Sequence, residues 1–370
     1  LNSDGTVSVI PTAVEGSEGI FDSIFVNNIT TVYDPNNQKI ILTYKQQDSN
    51  GYAKSIVGTI SGASISFGTP VVAVSQNVLS LVSTYHAQQQ KLVLAWYTNA
   101  TPGWQGSTVA GTISGTSVTF GSAQVFEGNQ VQNYVAVGYD SSQQCLLYVY
   151  LDDGGYKAAT QAYLSGTTFS FGSRTRIDQN GFGNPNLVQD QATGKLVAVY
   201  HDNSSRGKAS IVTISGTTPS FGTEYQFSSS AAFSKKAVYD SSSNKIVIAY
   251  RGASNYGQAV VATVSGSTIT YGTVYTFNSS ITNIAGLAFD SGSNKVTVVV
   301  SDQGDSNYGK YAIGEVSGTS ISFGSLVTYT TGDGGISTIG YDSNAGKNLI
   351  CFSDYNNSNY GTSFILSTSN

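Results

Sequence analysis

The octapeptide SGTSISFG at residues 317–324 returns five more times along the chain with small changes. The other copies are SGASISFG (61–68), SGTSVTFG (114–121), SGTTFSFG (165–172), SGTTPSFG (215–222) and SGSTITYG (265–272). Each copy places Ser-Gly between two strand-like runs, which predicts a tight β-hairpin because glycine accepts the positive φ of such turns. The glycine after the aromatic residue permits a bulge in the returning strand. The repeated phrase therefore indicates a repeated hairpin.

A second recurring element is an aromatic residue followed by Asp, a polar turn and an apolar run. It occurs at Tyr33-Asp34, Tyr85-His86, Tyr139-Asp140, Gln189-Asp190, Tyr239-Asp240, Phe289-Asp290 and Tyr341-Asp342, with substitutions in two copies. The first and last Asp are 308 residues apart over six intervals, about 51 residues per unit. A period of this size holds four short strands and indicates a β-propeller. Seven landmarks predict seven blades.

The two chain ends explain why only six hairpins accompany seven units. The last unit stops at Asn370 after its third strand, whereas residues 5–14 align with outer strands such as residues 117–125. We therefore expect residues 1–16 to supply the outer strand of blade seven, which leaves no interior sheet edge unpaired. The prediction is an all-β, seven-bladed β-propeller with four-stranded blades, a single domain over residues 1–370 with repeats of about 50 residues from residue 20.

Most recurring side chains have a structural explanation. The Asp of each landmark is expected to accept backbone N–H groups in its own turn. The lysine five residues later is expected to pair with that Asp, and this set is Lys39, Lys91, Lys195, Lys245, Lys295 and Lys347. Large aromatic residues end the second strands and are expected to fill the gaps between blades, at Tyr44, Trp96, Tyr150, Tyr200, Tyr250 and Phe352.

Composition favours a β-rich extracellular protein with a neutral polar surface over a helical cytosolic enzyme. Charged residues make up 11% of the chain, the net charge is −5, and no basic run is present, so nucleic acid is not an expected partner. No run approaches the roughly 20 apolar residues of a membrane-spanning helix, so membrane insertion is not expected. Methionine is absent, from which we expect export or maturation from a precursor. Two cysteines, Cys145 and Cys351, do not make a disulfide framework.

One register stands out as a candidate ligand site. The loops between second and third strands, the B–C loops, lie on the same face as the linkers between blades, and each carries an aromatic residue or Arg: Tyr52, Trp104, Tyr156, Arg206, Tyr256, Tyr308 and Tyr360. Aromatic faces stack on sugar rings, and nearby polar side chains supply hydrogen bonds: Asp48, Asn50, Asp152, Asp153, Asp202, Asn203, Asn255, Asp302, Asn307, Asp354 and Asn359. A multivalent glycan-binding surface is one interpretation. The other is that the aromatics pack on neighbouring blades and the polar residues cap turns.

Catalytic and metal-binding interpretations have less support from the residues. His86 and His201 are expected on opposite faces, and Arg174 and Arg176 lie on an outer strand, so no catalytic set emerges and no enzyme is expected. Residues 302–307, DQGDSN, resemble a calcium loop without the bidentate Glu of an EF-hand. No cofactor is expected, and bound calcium is the alternative. Asn-x-Ser/Thr sequences at Asn28, Asn99, Asn203, Asn278 and Asn356 leave N-glycosylation undecided.

The phrase SGTSISFG together with YDSSSNKIVIAY at residues 239–250 resembles repeats of about 50 residues in phage and virus tail-fibre or virion proteins and in secreted bacterial surface proteins. This resemblance covers nearly the whole chain, and it implies an adhesive or structural role with no catalytic residues. The leading interpretation is thus a non-enzymatic extracellular or virion-surface structural protein that self-associates, or joins other surface or virion proteins, into a particle or filament. The alternative is a multivalent lectin that binds cell-surface glycans through the aromatic ring of the B–C loops.

Overall fold

The computed structural model describes residues 13–48, 50–98, 104–128 and 131–369, so the predicted strand at residues 5–12 lies outside it. Within these ranges the chain forms 33 strands, one 3-10 turn and no α-helix. No helix there has the length and apolar character needed to cross a bilayer. In chain order the elements are β1 (Ala13–Glu15), β2 (Gly19–Asp34), β3 (Lys39–Gln46), β4 (Ala53–Ser61), β5 (Ser64–Phe67), β6 (Val71–Val74), β7 (Leu79–His86), β8 (Lys91–Thr98), β9 (Gln105–Ser114), β10 (Ser117–Phe120), β11 (Gln124–Glu127), β12 (Asn133–Asp140), β13 (Cys145–Leu151), β14 (Lys157–Ser165), β15 (Thr168–Phe171), β16 (Thr175–Arg176), β17 (Gly183–Asp190), β18 (Lys195–His201), β19 (Arg206–Ser215), β20 (Thr218–Ala231), β21 (Phe233–Asp240), β22 (Lys245–Arg251), the 3-10 turn (Ala253–Asn255), β23 (Gly257–Ser265), β24 (Thr268–Tyr271), β25 (Tyr275–Asn278), β26 (Thr282–Asp290), β27 (Lys295–Asp302), β28 (Tyr308–Ser317), β29 (Ser320–Phe323), β30 (Val327–Asp333), β31 (Ser337–Asp342), β32 (Lys347–Asp354) and β33 (Tyr360–Thr368).

Each repeat folds as an antiparallel blade of four strand positions. In blade two the order is β7, β8, β9 and then β10, with β11 continuing the outer position along β9. The outer strand is split in this way in most blades, and in blade four it is the continuous β20. The glycines of the Ser-Gly hairpins, at residues 62, 115, 166, 216, 266 and 318, have φ between 57° and 62°. The predicted hairpins are therefore confirmed.

The glycine that ends the repeated phrase has a second reason to be glycine. In several blades a Cβ at this position would clash with the next blade: Gly68 faces the carbonyl oxygen of Thr116, and Gly272 faces that of Thr319. The first residue after Ser-Gly in one hairpin therefore sits directly on the glycine of the preceding blade. The phrase repeats because its two ends form one blade-to-blade contact.

The start of the chain completes the last blade. Residues 13–15 pair with residues 366–368, and residues 19–25 pair with residues 360–363. The second half of β2 then pairs with β3 as the innermost strand of blade one, so hydrogen bonding joins blades seven and one into a nine-stranded sheet. The closing segment therefore extends to Phe25, beyond the predicted limit at residue 16.

Seven hydrophobic clusters show that the ring has seven blades and is closed. Each cluster lies between two successive blades, and one of them joins Phe21 and Val26 with Leu349 and Ile365, that is, the two ends of the chain. The innermost strands also pack against each other around the ring, β2 against both β7 and β31. The prediction of an all-β, seven-bladed propeller is confirmed.

The large aromatic residues at the ends of the second strands belong to these clusters, as predicted. All are buried, with at most 1% of their surface exposed: Tyr44, Trp96, Tyr150, Tyr200, Tyr250 and Phe352. In blade six the same position is Val300, which is also fully buried. Cys145 and Cys351 are buried free thiols.

The landmark Asp residues are buried and accept backbone N–H groups of their own turns, which confirms that prediction. Asp240, for example, accepts N–H groups of Ser242 at 2.8 Å and Ser243 at 3.1 Å. The predicted Lys–Asp pairs are wrong. Within the described ranges none of the six lysines pairs with the Asp of its turn, and Lys295 pairs instead with Glu315 at 2.8 Å. The physical reason is that each carboxylate is directed into its turn, where it accepts backbone N–H groups.

Candidate functional site

The innermost strands carry a feature that the sequence did not predict. Six of them begin with a β-bulge in which one extra residue is inserted relative to the second strand. Five non-glycine residues at these bulges have positive φ: Asn28 (46°), Ser80 (45°), Tyr134 (57°), Asn184 (45°) and Ser234 (44°). A non-glycine residue in this region costs of order 1–3 kcal/mol, and such strain clusters at functional sites. The same backbone conformation recurs at one position in five blades, so it is a regular feature of the fold rather than an isolated irregularity.

These five bulge residues all line one cavity of about 320 Å³, enclosed where the innermost strands of blades one to six begin. A neighbouring cavity of about 230 Å³ shares Asn28, Leu81, Lys236 and Ile284 with it and is completed by residues 335–337 of blade seven. In each blade the first and third strands begin at the end of the propeller where the cavity lies. The linkers that precede the first strands and the B–C loops that precede the third strands therefore lie at that same end. We call this end the loop face, and the end with the Ser-Gly hairpins the hairpin face.

Two lysines and a histidine form the most unusual group at this cavity. Lys235 and Lys236 both line it, and Lys235 is 2% exposed. The Lys235 ammonium donates to the Gly183 carbonyl at 2.9 Å and lies 3.0 Å from His201 Nδ1. Burial, with Lys236 as a second cause, lowers the pKa of Lys235 to about 7. Burial and the charge of Lys235 lower the pKa of His201 to about 4, so this imidazole is neutral and accepts from the lysine.

Aromatic side chains of blades two and three lie on the loop face, and one of them, Tyr134, also lines the cavity. Trp104 is 40% exposed and stacks on Tyr97, with ring centroids 5.8 Å apart and an interplanar angle of 12°. Tyr134, which lines the cavity, is 39% exposed. The pKa of Tyr97 is raised by burial and also by the proximity of Tyr134. The three rings therefore form a group that we call the aromatic rim.

The seven residues predicted as a glycan-binding ring lie one per blade at the start of the third strands. The structure gives a backbone reason for this register, because the residue closes its loop: the Asp152 N–H donates to the Tyr156 carbonyl at 3.0 Å, and the Gly252 N–H donates to that of Tyr256 at 2.9 Å. Within the part of the chain that the structure describes, no ring contact joins any two of the seven. Trp104 and Tyr256 are more than a third exposed, whereas Tyr52, Tyr308 and Tyr360 are half-buried.

Two members of the predicted ring are engaged by charged neighbours. The Arg176 guanidinium lies over the Tyr156 ring, 5.0 Å from its centroid. Arg206 is exposed and pairs with Asp202 at 2.7 Å. The loop acids mainly cap their own turns, as Asp202 does by accepting the N–H of Arg206. The predicted residues are therefore not equivalent, and Trp104 is the member that combines exposure with a supporting ring.

The acids at residues 302–307 are paired with a lysine. The Lys310 ammonium lies 2.9 Å from Asp302 and 2.5 Å from Asp305, and Asp302 also accepts from Ser280. Among the described residues no group of three or more His, Cys, Asp or Glu could hold a metal ion. The carboxylates of Asp302 and Asp305 are therefore engaged by an ammonium group and, at Asp302, by a hydroxyl.

Four residues of this site were missed by sequence reasoning: Tyr97, Tyr134, Lys235 and Lys236. A signal for the lysines exists, since two adjacent cations stand in a strand whose position in the repeat predicts burial. Among the glycosylation candidates, Asn203 and Asn356 are exposed, Asn28 lines the cavity and the Asn278 amide nitrogen is buried, while Asn99 lies outside the described residues.

No protein-family model matches the chain, and no curated protein sequence matches it either. Several solved structures, in contrast, are similar to the chain in fold. A periplasmic gluconolactonase from Pseudomonas aeruginosa, PpgL, is similar with a TM-score of 0.61 at 11% identity, over 81% of this chain and 84% of that one. A protein from Lactobacillus plantarum gives 0.57 at 12% identity, over 81% and 84%. A mutant of AofleA from Arthrobotrys oligospora, in which three arginines are replaced by alanine, gives 0.52 at 11% identity, over 87% and 91%. At these identities the likeness shows the fold alone.

These comparisons contradict the leading interpretation of the sequence, a non-enzymatic structural protein of a particle or filament. The fold is shared with a gluconolactonase, and none of the three proteins is described as part of a virion or filament. The predicted absence of enzymatic activity does not follow from a fold that an enzyme also uses. The resemblance to tail-fibre and bacterial surface repeats is not tested by these structures and stays a prediction. Function must be argued from the site.

Proposed function

We propose that the chain is a carbohydrate-binding protein that engages sugars on its loop face, at the aromatic rim and the adjoining cavity. The observation that carries the proposal is the exposed indole of Trp104, which stacks on Tyr97. A supported aromatic ring presents its negative face to solvent, and the polarised C–H bonds on one face of a pyranose pack against such a face. Trp104 is exposed and Tyr97 is buried, so Tyr97 supports one ring that remains open to solvent.

The cavity beside the aromatic rim supplies the polar part of the site. Its wall contains the side chains of Asn28, Ser80, Asn184 and Ser234, which offer hydroxyl and amide groups to sugar hydroxyls. A volume of about 320 Å³ is at the lower end of the range of roughly 300–1,000 Å³ for small-molecule sites, which suits one or two sugar units. Cell-surface glycans are therefore the partners we propose, with an extracellular site of action.

This proposal narrows the predicted ring of seven residues to one principal site. Tyr256, 36% exposed, is the remaining member that is open enough to make a second contact. Tyr156 and Arg206 are held by Arg176 and Asp202, respectively. A single dominant site rather than seven equal ones is expected.

The test is a glycan array followed by calorimetry on the best-binding sugar. Trp104→Ala and Tyr134→Ala should each weaken binding by about tenfold, the effect of losing an aromatic contact of roughly 1.4 kcal/mol. Tyr163→Ala is the matched control, because Tyr163 is 41% exposed and lies beside the hairpin face on β14. Wild-type protein that binds no sugar, or both rim variants binding like wild type, would refute the proposal.

A further inference from the structure

The cavity of 320 Å³ is lined by two basic side chains that have no acidic partner among the described residues. Lys235 and Lys236 line it, and Lys236 also lines the cavity of 230 Å³. The described walls of both cavities contain no Asp or Glu. Neither lysine forms an ion pair with a carboxylate of the described residues, whose ion pairs lie elsewhere. The charges are therefore not compensated from within this part of the protein.

Lys235 is buried and Lys236 is half-buried, and no neighbouring carboxylate pairs with either. Taking an ammonium group out of water costs several kcal/mol unless it is paired. The acid that acts on His201, Asp202, is itself held by Arg206 at 2.7 Å. Burial lowers the pKa of Lys236 as well as that of Lys235. An anion that enters the cavity would supply the missing charge.

The hydrogen-bond inventory leaves donors for such an anion. A lysine ammonium has three N–H donors, and Lys235 uses two of them, toward the Gly183 carbonyl and His201 Nδ1. The Lys236 ammonium makes no hydrogen bond with any described residue, although its backbone belongs to the ladder with Ala249. Its donors, and the remaining donor of a protonated Lys235, are therefore not used by the described protein groups.

We propose that the cavity binds the carboxylate of an acidic sugar, with Lys236 and Lys235 as its cationic partners and Tyr134 beside the sugar ring. The inference rests on the proposed carbohydrate-binding function and specifies its substrate class. The lining favours a sugar acid over a bare anion because it also contains the amide and hydroxyl residues Asn28, Ser80 and Asn184. A sulfate ester offers the same charge, so the experiment separates the two groups.

The experiment is calorimetric titration of the whole chain with glucuronic acid, glucose, glucose 6-sulfate and sodium sulfate. We expect glucuronic acid to bind at least tenfold more tightly than glucose, and the difference to shrink at high ionic strength, where ion pairs are screened. Lys236→Gln should remove this preference, and Lys236→Arg, which keeps the charge, should retain it. Lys245→Gln is the matched control, since Lys245 begins a second strand at the hairpin face.

The outcomes separate this inference from the function on which it rests. Equal binding of glucuronic acid and glucose, unchanged in Lys236→Gln, overturns the inference and leaves carbohydrate binding intact. Tight binding of glucose 6-sulfate with none of glucuronic acid overturns the carboxylate assignment. Binding of sodium sulfate without any sugar supports the cationic site but overturns the proposed function. A chain that binds none of the four overturns the inference, and thermal melting confirms that each variant is folded.

Discussion

Replacing the last glycine of the repeated phrase by alanine tests the blade-to-blade contact directly. At Gly272 an added Cβ would meet the carbonyl oxygen and carbon of Thr319 in the next blade. At Gly222, which occupies the same place in the phrase, the nearest atom is the Ile211 carbonyl oxygen at 3.3 Å. Neither glycine has positive φ, so alanine is compatible with the backbone at both. The two substitutions are chemically identical and differ in the neighbour they meet.

The expected magnitudes follow from two opposing effects. Overpacking a well-packed contact costs about 1–3 kcal/mol. Replacing glycine restricts the unfolded chain and stabilises the native state by about 0.4–1 kcal/mol. Gly272→Ala should therefore destabilise the protein by about 1–2 kcal/mol, since a backbone carbonyl cannot rotate away. Gly222→Ala should change the free energy of unfolding by less than about 0.5 kcal/mol, because a shift of a few tenths of an ångström relieves its contact.

The assay is urea unfolding followed by far-ultraviolet circular dichroism, with both variants and wild type measured side by side. The quantity that decides is the difference between the two variants rather than either value alone. Equal unfolding midpoints for Gly222→Ala and Gly272→Ala would refute the reasoning, because they would show that the next blade does not press on Gly272.

Two further predictions concern pH and ring closure. Burial lowers the pKa of His86 and His201 to about 4, so unfolding takes up protons between pH 4 and 6.5. The free energy of unfolding should therefore fall as the pH drops through this window, by about 1.4 kcal/mol per pH unit for each histidine. His86→Asp should make this dependence of stability on pH less steep, and an unchanged dependence would contradict the assignment. The Tyr33 hydroxyl in blade one accepts the Asn344 N–H of blade seven at 3.2 Å. Tyr33→Phe should therefore lower the free energy of unfolding in urea titrations by about 0.5–1.5 kcal/mol, whereas the control Tyr163→Phe should not. Equal effects of the two substitutions would contradict a role of this hydrogen bond in ring closure.

The fold could be predicted because its landmarks have local causes. An Asp that accepts the N–H groups of its own turn recurs in six blades, with His86 in its place in blade two, and a glycine with φ near 60° recurs in the six Ser-Gly hairpins. Their spacing gives the number of blades, and the missing hairpin gives the closure. The extent of the closing segment could not be predicted, because β2 continues through Phe25 from blade seven into blade one without a glycine or proline to mark the change.

The lysine pairs failed for a reason that applies to repeated charges in general. Spacing placed Lys245 opposite Asp240, and the strand register does pair their Cα atoms. The carboxylate, however, is buried within its turn, where it accepts from the N–H groups and hydroxyls of Ser242 and Ser243. Recurrence therefore showed correctly where the lysine lies but not what it contacts.

Part of the candidate site lies where the repeat is broken, and sequence periodicity therefore pointed to Trp104 but not to Tyr134, Lys235 or Lys236. The ring of seven recurs because its members close the B–C loops, which is an architectural requirement. In the other five blades with a bulge, the residues at the position equivalent to Lys236 are Thr30, Val82, Ala136, Asn186 and Gly286. No rule of blade packing calls for a cation at a place where five other residues are small, apolar or neutral. Tyr134 is similarly alone among the bulge residues with positive φ, since the other four are Asn or Ser, which accept that conformation at lower cost. The recurring residues build the ring, whereas these departures from the repeat line one cavity, which is the cavity of the proposed sugar site.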